Sequence, residues 1–112
     1  MKVYSLKSCD TCRKAIKEIQ AAGLSPNIID VRADRMSPDE IASIVDAVGF
    51  EKALNRRSTT WRGLDDVSKA DLDDAKAVTL IGAHPTLLKR PAITDGNQTT
   101  VGWDAAAKAT WL

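Results

Sequence analysis

The fold is decided by a stretch near the start of the chain, Ser8-Cys9-Asp10-Thr11-Cys12-Arg13-Lys14, which contains both cysteines of the protein. The apolar run Val3–Leu6 before it predicts a strand. The apolar spacing after it predicts a helix from about Thr11 to Ala22. The start of a helix offers unpaired N–H donors and the positive end of a dipole, which favour an anionic sulfur. The pattern therefore predicts that Cys9 is a readily ionised nucleophile.

The first third of the chain has the pattern of a strand, a helix and a second strand. Gly23 suits the end of the predicted helix. A short apolar run at 27–31 predicts a second, buried strand. Two strands joined by a helix over about 30 residues are typical of a right-handed βαβ unit with parallel strands.

A helical segment follows this unit. Ser37, Pro38 and Glu40 have the spacing of a capping box and predict a helix start. A second helical region is predicted to begin at 68–71 and to end near 82–85.

The last quarter of the chain has the pattern of two strands and a helix. A third strand is predicted after Pro91. The residues 95–97, Asp-Gly-Asn, predict a hairpin turn into a strand at 99–102. Asp104 is predicted to cap a closing helix. The whole order predicts an α/β protein with a thioredoxin-like fold, in which a helical insertion separates βαβ and ββα halves of a four-stranded mixed sheet. We expect one domain, residues 1–112.

Composition limits the function classes. The chain has 112 residues, 16 basic and 15 acidic, and a net charge of +1, which gives no support for binding nucleic acid or a membrane surface. The start of the chain lacks the pattern of a signal peptide, so we expect a cytoplasmic protein. A zinc site would need four ligands, and beside the cysteines only His84 offers a nitrogen donor. No bound metal or organic cofactor is expected.

Four segments together resemble the ArsC family, the arsenate reductases linked to glutathione and glutaredoxin. The family also includes the Spx transcription regulators and the YffB-type proteins. The YffB-type branch is the most similar, because it too carries Arg-x-Thr-Thr-Trp-Arg, found here at 57–62. The segments that carry the resemblance are Tyr4-x-x-Lys7-x-Cys9-Asp10-Thr11-Cys12-Arg13-Lys14-Ala15, Leu54-Asn55-Arg56-Arg57-Ser58-Thr59-Thr60-Trp61-Arg62-x-Leu64, His84-Pro85-x-Leu87-Leu88-Lys89-Arg90-Pro91 and Val101-Gly102-Trp103.

The resemblance implies a thiol-dependent reductase. Cys9 would attack arsenate or a glutathione mixed disulfide, with glutathione or glutaredoxin as the electron donor. Arg57 and Arg90 would face Cys9 and stabilise the anionic substrate, and a cis peptide would precede Pro91. Cys12 is a resolving thiol, half of a redox switch, or a bystander.

Three further residues are candidates for substrate binding: Arg13, Arg56 and Pro91. For Arg13 and Arg56 the alternative is an ordinary solvated surface. One departure from the arsenate reductases is that no arginine follows Arg90, whereas those enzymes use a third arginine late in the chain.

Two other functions fit the same residues. An Spx-like regulator would bind RNA polymerase and use Cys9 and Cys12 as a redox switch. A protein of the same ancestry could also bind glutathione without efficient turnover.

Overall fold

The structure is a computed structural model that describes residues 1–112, and a mixed sheet forms its centre. The four strands are β1 (Lys2–Ser5), β2 (Asn27–Asp30), β3 (Ala92–Thr94) and β4 (Thr99–Val101). Their order across the sheet is β2-β1-β3-β4. The pair β1–β2 is parallel, while β3 is antiparallel to both of its neighbours. This confirms the predicted α/β class and the four-stranded mixed sheet.

The helix that follows β1 is α1 (Asp10–Ala21), which begins one residue earlier than predicted. Gly23 lies just beyond its end with φ +87°, a conformation that glycine adopts without strain. The prediction that β2 is buried is wrong, because Asn27 and Ile28 are exposed. β2 is an edge strand, and Ile29 is the residue that packs against the main core.

The helical insertion between the two halves contains five helices: α2 (Pro38–Val48), α3 (Phe50–Ala53), α4 (Thr59–Arg62), α5 (Asp66–Lys69) and α6 (Asp74–Ala83). The capping box at the start of α2 is confirmed: the Glu40 N–H donates to Ser37 Oγ (3.1 Å) and the Ser37 N–H to Glu40 Oε1 (3.2 Å).

The prediction of one helical region from residue 68 is wrong, because the chain forms two helices there. Asp65 caps α5 and Asp73 caps α6, and each aspartate accepts an N–H three residues on. Between the helices, Asp71 takes a positive φ of 51°. Two aspartate caps in close succession therefore break a pattern whose apolar spacing alone suggests a continuous helix.

The chain closes with a short 3₁₀ turn (Pro85–Leu87), the hairpin β3–β4, and α7 (Ala105–Trp111), which Asp104 caps as predicted. Gly96 takes φ +95° in the predicted turn between β3 and β4. None of the helices combines the length and apolar character needed to cross a bilayer.

Both faces of the sheet are covered. The larger core lies between the sheet and the insertion, and it includes Tyr4, Ile41, Ile81 and Leu88. A smaller core on the opposite face is formed by Val3, Ile19, Ile93 and Trp111. The sheet thus lies between two hydrophobic cores.

Candidate functional site

The candidate site lies at one edge of the sheet. Parallel pairing brings the carboxyl ends of β1 and β2 to this edge, and antiparallel pairing brings the amino end of β3 there. The Cys9 loop follows β1, and Arg90-Pro91 precedes β3. The topology therefore places two of the predicted segments together, although they are about 80 residues apart in sequence.

Cys9 is the N-cap residue of α1. Its backbone is extended (φ −87°, ψ 112°), and its N–H donates to the Leu6 carbonyl at 2.9 Å. The Cys12 N–H points at the Cys9 sulfur, with a distance of 3.3 Å between nitrogen and sulfur. The Cys9 side chain is partly exposed. A reagent can thus reach a sulfur that already faces a backbone donor.

Cys12 lies one turn further along α1 and is buried, with only 1% of its surface exposed. Burial raises the pKa of its thiol to about 12, and hydrogen bonding to the Cys9 side chain acts in the same direction. The positive charge of Arg90 opposes this pKa shift only in part. The two thiols therefore differ: Cys9 is accessible, while Cys12 stays protonated at neutral pH.

Arg90 is held in a fixed position near Cys12. Its Nη1 donates to the carbonyls of Thr86 (2.7 Å) and Leu88 (3.1 Å), and its Nε is buried without a partner. The charge of Arg90 is close enough to act on the Cys12 thiol. The peptide bond to Pro91 is cis, which confirms that expectation, and Pro91 is buried.

The arginine-rich loop begins at Asn55 and leads into α4. The Arg57 N–H donates to Asn55 Oδ1 (3.2 Å), and Ser58 caps α4 by accepting the Trp61 N–H (3.1 Å). Arg57 is exposed, and its side chain makes no hydrogen bond or salt bridge. Arg56 is also exposed and lies 5.8 Å from the centroid of the Trp61 ring. The loop backbone is ordered by local hydrogen bonds, whereas the Arg57 guanidinium has no partner within the chain.

Arg13 pairs with Asp10, three residues before it on α1, and both side chains are largely exposed. This pair directs Arg13 along the first turn of the helix. The Arg13 guanidinium therefore has a partner within the chain, whereas that of Arg57 has none.

Thr86 is a residue that the sequence does not single out. Its hydroxyl bonds to the Thr60 hydroxyl (2.8 Å), while its carbonyl accepts from Arg90. Backbone bonds from Asn55 to Leu87 (2.8 Å) and from Lys89 to Ala53 (2.8 Å) join the same two segments. The arginine-rich loop is thus tied to the segment that carries Arg90. No local pattern predicts such a contact, because its partners are 26 residues apart.

The chain's metal-binding residue types do not gather at this edge: no group of three or more His, Cys, Asp or Glu side chains is placed to hold a metal ion. The chemistry available here is that of a thiol and guanidinium groups.

The model of the ArsC family matches residues 4–110, nearly the whole chain. The chain belongs to the ArsC family.

The relatives of this chain include an uncharacterized protein and a transcriptional regulator. An uncharacterized protein of Haemophilus influenzae is 33% identical over 102 residues, which cover 91% of this chain and 90% of the relative. The global transcriptional regulator Spx 2 of Bacillus cereus is 30% identical over 107 residues, covering 91% of this chain and 79% of the regulator.

Among solved structures, the YffB protein superposes with a TM-score of 0.92 at 35% identity, covering 99% of this chain and 97% of that one. This likeness agrees with the predicted YffB-type branch, and it confirms the thioredoxin-like fold of the ArsC family with its helical insertion.

Proposed function

We propose that this ArsC-family chain is a thiol-dependent reductase with Cys9 as its nucleophile. One observation carries the proposal: Cys9 is partly exposed at the start of α1, and a backbone N–H points at its sulfur. A sulfur in this position is accessible to an electrophile and faces a donor that can stabilise negative charge. We place the reaction in the cytoplasm, where glutathione keeps thiols reduced.

The reaction with a glutathione mixed disulfide takes two steps. The Cys9 thiolate attacks the glutathione sulfur of the mixed disulfide, and a new disulfide forms between Cys9 and glutathione. The other half of the mixed disulfide leaves as a thiolate and takes a proton from solvent. A second thiol then attacks the glutathione sulfur and restores Cys9. Free glutathione suits this second step better than Cys12, because the Cys12 thiol is buried and its pKa is raised to about 12.

Two arginines would bind the anionic part of the substrate. Nη1 of Arg90 is fixed by two backbone carbonyls, while its Nη2 makes no hydrogen bond within the chain. Arg57 has a free guanidinium. Guanidinium groups bind carboxylates and oxyanions through paired hydrogen bonds. Arg56, Arg13 and Pro91 are proposed as further substrate contacts, and Arg13 would first have to leave Asp10.

Arsenate is the alternative electrophile, with the same nucleophile and with glutathione or glutaredoxin as the reductant. The absence of an arginine after Arg90 favours the disulfide over arsenate, because a tetrahedral oxyanion has more charge to neutralise. No bound cofactor takes part in either route.

The test is turnover by single-cysteine variants. The assay couples NADPH oxidation by glutathione reductase to reduction of the mixed disulfide of glutathione and 2-mercaptoethanol, with arsenate as a second arm. We expect Cys9→Ser to reduce the rate to background. Cys12→Ser should retain most of it with free glutathione as the second thiol. Full activity in Cys9→Ser would show that the proposed mechanism is wrong.

A second candidate function is a redox-sensing regulator. Its support is the similarity to Spx 2 over 91% of this chain, together with the Cys9-x-x-Cys12 pair. Such a protein would bind RNA polymerase and respond to a disulfide between the two cysteines. Capture of purified RNA polymerase by the immobilised chain, without turnover in the coupled assay, would favour the regulator.

A further inference from the structure

A cleft of about 650 Å³ lies outside the candidate site, between the loop after β2, the start of α2 and the end of α6. Its volume falls within the range of small-molecule sites, roughly 300 to 1,000 Å³. The proposed reaction gives this cleft no role. Thr86, whose carbonyl holds Arg90, also lines it, so the cleft adjoins the Cys9 site.

The lining of the cleft combines an apolar floor with two positive charges. The floor includes Ile41, Ile81, Met36 and Val78, of which the two isoleucines are buried. The charges are Arg32 and Arg35, and no acidic residue lines the cleft. Neither arginine takes part in a salt bridge or a side-chain hydrogen bond. Both guanidinium groups are therefore available to a ligand.

The turn that carries these arginines is fixed by its own hydrogen bonds. Asp30 Oδ1 accepts the N–H groups of Arg32 and Ala33, both at 2.9 Å, and Asp34 Oδ2 accepts the Asp30 N–H at 2.9 Å. Arg35 takes a positive φ of 48°. The Asp34 carboxylate thus caps the turn without pairing with either arginine. Because the turn is ordered in the free chain, a ligand would pay little entropy to arrange its backbone.

Gly82 keeps one wall of the cleft open. A Cβ at this position would have Ile41 Cδ1, at 3.9 Å, as its nearest neighbour, which is ordinary contact. A methyl group fits there without strain, whereas a large aromatic side chain would occupy the cleft. Position 82 therefore offers a matched pair of variants, one tolerated and one that blocks the cleft.

We propose that the cleft binds a small organic anion, with an apolar body against the floor and a carboxylate or phosphate between Arg32 and Arg35. The charge of the cleft favours an anion, because two unpaired arginines line it and no carboxylate does. The proposal does not rest on Cys9 being a nucleophile. A negative result in the thiol assay would leave it unaffected.

The test is an NMR titration of the ¹⁵N-labelled protein with three probes that share one apolar body: 1-naphthoate, 1-naphthyl phosphate and the neutral 1-naphthalenemethanol. We expect either anion to shift the backbone amides of residues 32–36 and 82–83. The neutral probe should bind at least about fivefold more weakly. Comparison of the two anions identifies the preferred acidic group. Equal binding of all three probes, or shifts confined to other parts of the chain, would overturn the proposal.

Variants test the contribution of the two arginines and that of the apolar floor separately. The double variant Arg32→Ala, Arg35→Ala should weaken the preferred anion about tenfold and leave the neutral probe unchanged. Gly82→Phe should weaken both kinds of probe, while Gly82→Ala should leave both as in the wild type. Lys52→Ala, which removes an exposed positive charge outside the cleft, is the control. An equal loss of anion binding in Lys52→Ala and in the double variant would contradict the proposal. The shifts in the unaltered protein test it if Gly82→Phe fails to fold.

Discussion

At the scale of single residues, the two thiols of one helical turn have different environments. Cys9 is partly exposed and Cys12 is almost fully buried. The sequence predicts that the pair is chemically special, because both cysteines flank a helix start. It cannot predict how far Cys12 is buried, since burial depends on elements packed over α1 from elsewhere in the chain. The structure therefore assigns the accessible role to Cys9 alone.

The pKa of Cys12 makes folding stability depend on pH in a defined window. Below about pH 9, its ordinary value, the folded and unfolded chains both hold the proton. Above it, the unfolded chain loses the proton while the folded chain keeps it up to about pH 12, so unfolding becomes more favourable as pH rises. At pH 10 this effect amounts to about 1 kcal/mol.

The measurement is urea unfolding of the wild type and Cys12→Ala at pH 7.5 and pH 10. We expect the wild type to lose more unfolding free energy between the two pH values than the variant does. The other titrating groups, such as Tyr4, are common to both proteins and cancel in the comparison. Equal losses would contradict the assigned environment of Cys12.

Substitutions of Arg57 and Arg90 should affect folding stability differently, although both should impair the reaction with the substrate. Arg57→Ala should change the free energy of unfolding by less than about 0.5 kcal/mol, because the side chain is exposed and makes no hydrogen bond or salt bridge. Arg90→Ala should lower it by about 1 to 3 kcal/mol, because two backbone carbonyls lose their donor. Under the proposed function, both variants should lower kcat/KM for the mixed disulfide at least about tenfold.

Urea unfolding and the coupled assay measure these two effects. Lys52→Ala is the control for the loss of an exposed positive charge outside the loop and should leave both quantities unchanged. If Arg57→Ala retained the kcat/KM of the wild type, Arg57 would not be part of the proposed site.

At the scale of elements, the sequence predicts a helix start or a turn correctly where a single residue determines it. The caps at Ser37 and Asp104 and the turn at Gly96 are all present. The apolar spacing does not predict the break between α5 and α6, because it continues across the break. Two aspartate N-caps start two separate helices there. The exposure of β2 was missed too, since an edge position is a property of the sheet and not of the strand.

The capping box of α2 gives a direct test at this scale. Ser37→Ala should lower the free energy of unfolding by about 1 kcal/mol, because the Glu40 N–H loses its acceptor. Glu40 also accepts from the Tyr4 hydroxyl (2.8 Å), so the cap lies next to a contact that joins α2 to β1. Ser43→Ala is the matched control, an exposed serine on the same helix without a side-chain hydrogen bond. Urea unfolding measures both variants, and an equal effect would show that the cap contributes nothing.

At the scale of the whole molecule, the candidate site depends on contacts that no local pattern contains. The strand order brings Arg90-Pro91 to the edge where Cys9 lies, and this order follows from the predicted halves. The resemblance to the ArsC family supplied the expectation that Arg57 and Arg90 belong with Cys9. The Thr60–Thr86 contact and the fixing of Arg90 by Thr86 could not be predicted, because they join segments far apart in sequence.

Trapping of a covalent intermediate tests most directly whether Cys9 is the nucleophile. The Cys12→Ser variant is incubated with the mixed disulfide of glutathione and 2-mercaptoethanol, without free glutathione, and the modified peptide is identified by mass spectrometry. We predict a disulfide adduct on Cys9 that free glutathione then removes. In the reciprocal variant, Cys9→Ser, we predict no adduct on the buried Cys12 in the folded protein. An unmodified Cys9 in the first variant, or ready modification of Cys12 in the second, would contradict the claim.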